Sequence, residues 1–199
     1  MKRTLVAAAI ATFSMNAFSA QTFSDGPAWD FVEAGYQVAD VDDVDVFEPS
    51  GFNIEGSMLV GENFFVNGGY RNLDDEEVGV ELELSQLSLG VGYRYGITKS
   101  TDVFATVSFE NLDAEAKFEG ENFLDGDENG FGVAVGVRSM VIDQLELTAQ
   151  VKQVELDETS NTGFKAGINY YFTPALAIGA TYEDRDQFSF TGAHVRYAF

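Results

Sequence analysis

The stretch FSFTGAHVRYAF, residues 188–199, ends the chain and decides its fold. Val195, Tyr197 and Phe199 are apolar and occupy every second position, and the polar residues His194 and Arg196 lie between them. This period of two predicts a β-strand with one apolar face and one polar face. An aromatic ring on the last residue contributes little to a water-soluble fold, because chain ends fray and the ring stays hydrated. The stretch therefore argues against a terminal strand in water.

This ending resembles that of small outer-membrane β-barrel proteins of Gram-negative bacteria, a porin-like and OmpA/OmpX-like family. The closing strand of that family ends in Phe after alternating apolar residues, and the assembly machinery recognises it. The resemblance implies a location in the cell outer membrane, with Val195, Tyr197 and Phe199 as the assembly signal. The partners that it implies are outer-membrane lipids and lipopolysaccharide, with the barrel assembly machinery and periplasmic chaperones during biogenesis. A monomer is expected.

The start of the chain has the three parts of a secretory signal peptide. Met1-Lys2-Arg3 is basic, Leu5 to Phe13 is apolar, and Ala17-Phe18-Ser19-Ala20 is a small-residue cleavage site. The apolar run is shorter than the roughly 20 residues that a spanning helix needs. We predict a signal peptide over residues 1–20 and an exported outer-membrane β-barrel domain over residues 21–199.

The composition excludes several classes of function. The chain has 33 acidic residues against 11 Lys and Arg, and its formal net charge is −22 at pH 7. Binding of nucleic acid is excluded, because phosphate contacts need a basic surface. Cysteine is absent, so neither disulfides nor thiolate metal ligands can hold the fold together. After the leader no apolar run approaches the length of a spanning helix, so a chain embedded in a membrane must form a closed barrel.

From residue 29 onward the chain alternates between short apolar–polar segments and polar turns. Each segment is near the 9–11 residues that a tilted strand needs to cross the hydrocarbon. We predict ten strands, at residues 29–39, 51–60, 64–73, 86–97, 102–112, 130–141, 145–155, 163–173, 176–184 and 188–199. The alternation changes phase before Leu87, which makes the second loop ambiguous at Leu82 and Leu84 and leaves eight strands possible. The predicted fold class is all-β, an antiparallel up-and-down transmembrane β-barrel.

The two faces of these strands favour a membrane barrel over a water-soluble one. The polar face is rich in glycine and small residues, as a confined lumen requires, and aromatic residues lie near strand ends on the apolar face. In a lipocalin-like barrel the bulky apolar set would fill the interior instead. An even number of strands places both ends of the barrel on the periplasmic side, with tight turns at 61–63, 98–100, 142–144 and 173–175.

The polar face also carries the predicted lumen charge network. Charges inside a narrow barrel need partners of opposite sign, because their hydration is lost. The network consists of Glu33, Glu55, Arg71, Arg94, Glu110, Arg138, Glu146, Lys152, Lys165, Glu183, His194 and Arg196.

Strand direction sorts these charges by depth into two predicted clusters that occlude the barrel. The periplasmic cluster is expected to contain Glu33, Glu146, Arg94, Arg138 and Arg196. The outer cluster is expected to contain Glu110, Glu183, Arg71, Lys152 and Lys165, with Glu55 near the middle. The alternative is a narrow ion or small-solute channel lined by the same charges.

The outer loops are predicted to be acidic. They form either a solvated rim or a surface that binds divalent cations and bridges them to lipopolysaccharide phosphates. Within the third loop, residues 125–130 match the first half of an EF-hand loop, with Asp125, Asp127 and Asn129 as ligands. The twelfth position would be Gly136, where a bidentate Glu is needed, so only weak binding of calcium or magnesium is predicted. No other cofactor is expected.

Catalysis is the least favoured prediction. A serine or threonine nucleophile needs a base such as histidine within hydrogen-bond reach. The single histidine, His194, has Arg196 instead of Ser or Thr two positions away on its face. We expect His194 to be hydrogen-bonded within the lumen. A zinc site needs several His or Cys ligands, which the chain lacks. The sequence thus predicts a structural or surface-interaction role and no enzyme, with a lipid-modifying enzyme as the weakest alternative.

Overall fold

The structure, a computed structural model, describes residues 25–41, 48–77, 80–118, 121–156, 160–185 and 188–199. They form a closed antiparallel barrel in which each strand pairs with its neighbours in the chain. The strands are β1 (Phe31–Val41), β2 (Ser50–Val60), β3 (Phe64–Glu77), β4 (Val80–Gly96), β5 (Thr101–Phe118), β6 (Glu121–Ile142), β7 (Leu145–Leu156), β8 (Ser160–Thr173), β9 (Leu176–Arg185) and β10 (Phe188–Ala198).

The first and last strands close the barrel. Their register runs from Phe31 opposite Ala198 to Val41 opposite Phe188. The predicted antiparallel barrel of ten strands is therefore confirmed, and the eight-stranded alternative is wrong. Among the described residues, no helix has the length and apolar character needed to cross a membrane. The predicted signal peptide, residues 1–20, lies outside the described residues.

The outward face of the barrel is apolar, as predicted. On β6, Phe131, Val133 and Val135 are exposed, whereas Gly132 and Ala134 between them are buried. The aromatic residues expected at the membrane interfaces are all exposed on this outward face, where lipid rather than water would contact them. They are Tyr36, Phe64, Tyr70, Tyr93, Tyr95, Phe109, Tyr170, Phe172, Tyr182, Tyr197 and Phe199.

Tight turns and both ends of the barrel lie together at one end, the periplasmic end for this class of barrel. The turn between β2 and β3 contains Gly61, whose φ of +80° is accessible to glycine without steric cost. The Phe199 amide donates a hydrogen bond to the Asp30 carbonyl oxygen (3.1 Å), so the two ends of the barrel wall meet there.

At the opposite end, β3 to β6 run well beyond the predicted strand limits. The predicted second and third loops are instead mostly paired strand, with Glu77 opposite Val80 and Val80 opposite Phe118. We call residues 72–77, 80–85, 111–118 and 121–129 the outer extension. The prediction stopped short because the apolar phase changes in these segments, although the backbone pairing continues through the change.

The inner face of the outer extension is apolar. Leu73 is fully buried and forms a cluster with Ala39 and Phe190, and Leu84 packs against that cluster. The apolar residues of β4 thus change from the inner face to the outer face before Leu87. The strand continues through this change, because side chains still alternate between the two faces. Only the surroundings of each face change.

Candidate functional site

The lumen is the candidate functional site, because it buries most of the charges that the sequence places on the polar face. An uncompensated buried charge is costly, so the value of each charge depends on its partner. The buried charged residues of the described chain are Glu33, Arg71, Asp102, Glu110, Arg138, Glu146, Glu183 and Arg196.

The periplasmic half of the lumen is organised around Glu146, which is 0 % exposed. Its Oε1 accepts hydrogen bonds from Nε and Nη2 of Arg138 (3.0 and 2.7 Å) and from Nη1 of Arg196 (3.0 Å). The hydroxyl of Tyr171 donates to Oε2 of the same carboxylate (3.3 Å). Arg196 also donates from Nε to Oε2 of Glu33 (2.6 Å), so two acids and two arginines from four strands form one network.

His194 lies inside this network. Its Nε2 is 2.7 Å from Oδ1 of Asn169 and 3.5 Å from Oε2 of Glu33. The neighbours of this ring nitrogen are thus an amide oxygen and a carboxylate oxygen. Among the described residues, no hydroxyl group that could act as a nucleophile is hydrogen-bonded to it. The structure places the histidine where a structural hydrogen bond was expected.

Glu110 organises the side of the outer half formed by β4, β5 and β7. It accepts from Lys152 Nζ (2.5 Å), from Ser108 Oγ (2.5 Å) and from Ser88 Oγ (2.8 Å), all at Oε1, and from Gln86 Nε2 at Oε2 (3.2 Å). The carboxylate is 1 % exposed, and these donors replace the water that it loses on burial.

Two further ion pairs cross the lumen in the outer half. Arg71 on β3 donates from Nη2 to Glu183 Oε2 on β9 (2.7 Å). Lys165 on β8 contacts both oxygens of Glu55 on β2 (2.6 and 2.9 Å). Neither pair joins neighbouring strands, so both tie one wall of the barrel to the far wall.

Two residues of the predicted network have other partners than expected. Arg94 does not reach Glu33 or Glu146: its Nη1 donates to Asp102 (2.9 Å) and its Nε and Nη2 donate to the Glu62 carbonyl oxygen (3.2 and 3.1 Å). It lies near the end of β4, where the adjacent turn is closer than the lumen centre. Lys165 pairs with Glu55 rather than with Glu110 or Glu183, because its long side chain spans the barrel.

Three residues of the lumen were not predicted from the sequence. Trp29 donates from its indole nitrogen to Asp102 Oδ2 (2.7 Å), and Arg185 forms an ion pair with Glu183. A signal for them was present, because Trp29, Asp102 and Arg185 share the alternation of the inward residues on their strands. Trp29 and Arg185 were missed because they lie at or beyond the predicted strand ends.

A cavity of about 180 Å³ remains within the lumen. Uncharged polar residues, the ion-paired side chains, and aromatic residues such as Trp29 and Phe65 line it together. The uncharged lining residues include Asn53, Ser57, Asn67, Thr106 and Thr148.

The predicted calcium ligands lie on the outer extension. Residues 125–130 belong to β6 and pair with β5. The EF-hand match predicted a loop here, and that prediction is wrong. Asn111 Nδ2 donates to Asp127 Oδ1 (2.9 Å) and to Asn129 Oδ1 (3.2 Å). Among the described side chains, no group of three or more His, Cys, Asp or Glu could hold a metal ion. The side chain of Asp125 is outside that description, and weak calcium or magnesium binding stays a prediction.

The predicted assembly signal lies on the outward face of the closing strand. Val195, Tyr197 and Phe199 are 52 %, 43 % and 44 % exposed, and the last two rings stack with centroids 6.3 Å apart. In the membrane this face would contact lipid.

A closed barrel with an apolar exterior and a charged lumen defines the class of transmembrane β-barrel proteins. The family model for the outer membrane protein beta-barrel domain matches residues 5–195. The chain belongs to this family, and its location is the outer membrane.

Comparison with curated proteins finds no match. Among solved structures, the chain is similar to the beta domain of the Bordetella autotransporter BrkA, with a TM-score of 0.51, 12 % identity and coverage of 87 % of this chain and 100 % of that one. It is also similar to Ail, the attachment invasion locus protein of Yersinia pestis (TM-score 0.48, 14 % identity, 84 % and 97 % covered). The KdgM porin gives a TM-score of 0.46 at 8 or 9 % identity, with 84 % and 99 % covered. At such identities the BrkA comparison bears on the fold alone.

Proposed function

We propose that the protein is a monomeric barrel with a structural and surface-interaction role and a lumen that does not conduct. The observation that carries this proposal is the pair of ion pairs across the outer lumen, Arg71–Glu183 and Lys165–Glu55. Each pair compensates two buried or half-buried charges, so opening the path would leave charges without partners. Rigid closure suits a barrel that works through its outer surface.

Planar-bilayer recording tests the closed lumen. The wild-type barrel is expected to give no steady openings, whereas the double substitution Arg71→Ala and Lys165→Ala removes both crossing side chains and is expected to give small ones. A matched control, Lys117→Ala, removes a positive charge from the outer extension and should leave the bilayer silent. Steady ohmic openings of the wild type would contradict the proposal.

A narrow channel for ions or small solutes is the second candidate. The cavity of about 180 Å³ favours it, because a fully packed lumen would leave no such space. The same recordings separate the two candidates. A channel lined by these charges would show a reversal potential that depends on Arg71 and Glu183.

The surface role is proposed for the acidic outward face of the outer extension. Its acids lie opposite one another on neighbouring strands: Asp74 pairs with Glu83, and Glu83 pairs with Glu115. Like charges in directly opposite positions destabilise a sheet. Calcium or magnesium would relieve this repulsion and could bridge the carboxylates to the phosphates of lipopolysaccharide.

Binding of lipopolysaccharide with and without magnesium tests this surface role. The substitution of Asp74 and Glu83 by Asn and Gln should weaken the magnesium-dependent part of binding. Glu155→Gln, an exposed change on β7, is the matched control and should leave binding unchanged. Equal binding in the presence of a chelator would contradict the bridging role.

We also propose that the barrel is not an enzyme and that Val195, Tyr197 and Phe199 guide its assembly. The hydrogen bond between His194 and Asn169 supports a structural histidine. A His194→Asn variant is expected to fold and to keep its surface binding. Phe199→Ala should slow assembly by the barrel assembly machinery relative to a Phe188→Ala control at the start of β10.

A further inference from the structure

The segment before β1 carries Trp29, the single tryptophan of the chain, and closes the periplasmic mouth of the lumen with it. Trp29 is 4 % exposed and donates to Asp102 Oδ2 (2.7 Å). Its ring centroid lies 4.5 Å from that of Phe65 and 5.5 Å from that of Phe104. The guanidinium carbon of Arg138 lies 4.6 Å from the indole centroid, in the range of a cation–π contact. The indole thus fills the mouth between β3, β5 and β6.

Backbone contacts anchor the same segment around the mouth. Arg138 Nη2 donates to the Ala28 carbonyl oxygen (2.8 Å), and the Leu59 amide donates to Asp30 Oδ1 (2.7 Å). We call residues 25–30 the periplasmic plug. These contacts link the plug to β2 and β6, yet none of its residues belongs to a strand.

Behind the plug, polar atoms that have no partner among the described residues line the cavity. They are Asn53 Oδ1, Ser57 Oγ and Asn67 Oδ1, all of which are buried. Asn53 is 5 % exposed and Ser57 8 % exposed, and all three residues line the cavity. Buried acceptors of this kind need donors, and a polar cavity of this size supplies them by holding water or a small molecule with N–H or O–H groups.

The two closures of this cavity differ in what must break to open them. On the outer side, Arg71–Glu183 and Lys165–Glu55 connect side chains of strands that are held in the barrel wall. On the periplasmic side, the plug can leave without breaking a strand ladder, because it precedes β1. Its withdrawal breaks the indole hydrogen bond, the ring contacts and the hydrogen bonds of Ala28 and Asp30, including the one that the Phe199 amide donates to the Asp30 carbonyl oxygen.

We propose that the plug is displaceable and that the cavity is a chamber that exchanges water and small uncharged hydrogen-bonding solutes with the periplasm but not with the exterior. The inference rests on the outer closure proposed above and adds an opening at the other end. A barrel could therefore be silent in bilayer recordings and still admit solutes from one side.

Cysteine labelling tests this proposal, because the chain has no cysteine of its own. Thr106→Cys places a thiol in the chamber wall, and methyl methanethiosulfonate is a small uncharged probe for it. Trp29→Ala is expected to raise the labelling rate by about tenfold or more, because labelling of a closed site follows the population of its open state. Trp29→Phe keeps a ring and should raise the rate less. Phe190→Ala loosens the buried cluster of Ala39, Leu73 and Phe190 on the outer side and should leave the rate unchanged.

The outcomes separate this proposal from the closed lumen. A labelling rate that rises in the Phe190→Ala variant would overturn the proposal, whether or not Trp29→Ala raises the rate as well. A labelling rate that neither variant changes would also overturn it. If Trp29→Ala does not fold, the fluorescence of wild-type Trp29 gives a second reading, since it is the single tryptophan of the chain. A blue-shifted emission that acrylamide quenches slowly, and faster in Asp102→Ala, supports the plug. Emission typical of water would overturn it.

Discussion

The parts of β3 to β6 inside and outside the membrane are both paired strand, but the apolar and polar faces of the strands are exchanged between them. In the membrane part of β6, the outward residues Phe131 and Val135 are apolar, whereas Asp127 on the same face of the outer extension is an exposed acid. On the inward face the order is reversed: Arg71 is charged, and Leu73 one step further out is an apolar core residue. The alternation of side chains continues from the membrane part into the outer extension, and the register of β5 and β6 shifts only further out, between Ala116 and Lys117.

This difference teaches that the surroundings, and not the strand, set which face is apolar. Lipid contacts the outward face in the membrane, so charges there are confined to the lumen, where they pair. Beyond the membrane water contacts the outward face, so acids lie outside and leucines pack inside. The boundary on β6 falls between Asn129 and Phe131.

The largest expected effect comes from the buried charges of the membrane part. Glu146→Ala leaves Arg138 and Arg196 without their shared carboxylate, and loss of one partner from a buried ion network costs about 3–5 kcal/mol. Urea unfolding in lipid vesicles measures the change in the free energy of unfolding. Glu155→Ala removes an exposed acid from the same strand and should cost less than about 0.5 kcal/mol. Similar losses for the two variants would mean that the lumen charges do not pair as described.

The next effect contrasts the two parts of one face. Val135→Arg puts a charge on the lipid face and should destabilise the barrel by about 2–4 kcal/mol, as charges near the bilayer midplane do. Asp127→Arg makes the same residue on the same face of β6 beyond the membrane and should change stability by no more than about 0.5 kcal/mol. Unfolding in vesicles gives both values. Equal losses of stability in the two variants would contradict a membrane boundary between Asn129 and Phe131.

A smaller effect is expected from the inner face of the outer extension. Leu84→Ala removes packing against Leu73 and Phe190, and because Leu84 is only partly buried the cost should be about 1–2 kcal/mol, below that of a fully buried leucine. Glu83→Ala, its neighbour on the outward face, should be close to neutral. Thermal unfolding of the two variants in detergent compares them. A neutral Leu84→Ala would show that this face is not a packed core.

The smallest effect is expected from divalent cations. If calcium or magnesium relieves repulsion between outward acids by about 1 kcal/mol, the midpoint of thermal unfolding should rise by about 2–4 °C for a chain of this size. The rise should be smaller when Asp127 and Asn129 are both replaced by Ala. A midpoint that the cations leave unchanged would remove the predicted weak site.

The period of two was sufficient to predict most of the fold. It favoured ten strands over eight and predicted their order, because the membrane segments alternate between a lipid face and a lumen face. It failed at Leu82 and Leu84, since an exchange of apolar faces within one strand looks like the end of that strand. Pairing between distant segments, such as Val80 with Phe118, has no signal in a single sequence.

The lumen was predicted less completely than the fold. Alternation places a side chain inside, but the partner it reaches depends on the barrel diameter and the stagger of the strands. Glu146 with Arg196 follows from depth alone, whereas Lys165 with Glu55 requires the distance across the lumen. Trp29 lies before β1 begins, and its indole reaches Asp102 on β5, a partner that the alternation of the first predicted strand does not indicate.

Site-directed spin labelling along β6 tests the exchange of faces most directly, because single cysteines can be introduced into a chain that has none. Labels at Val133 and Val135 should collide with oxygen dissolved in lipid, whereas labels at Asp127 and Asn129 should collide with a water-soluble nickel complex. Access of oxygen to a label at Ala134, with labels at Val133 and Val135 shielded from it, would contradict the exchange of faces.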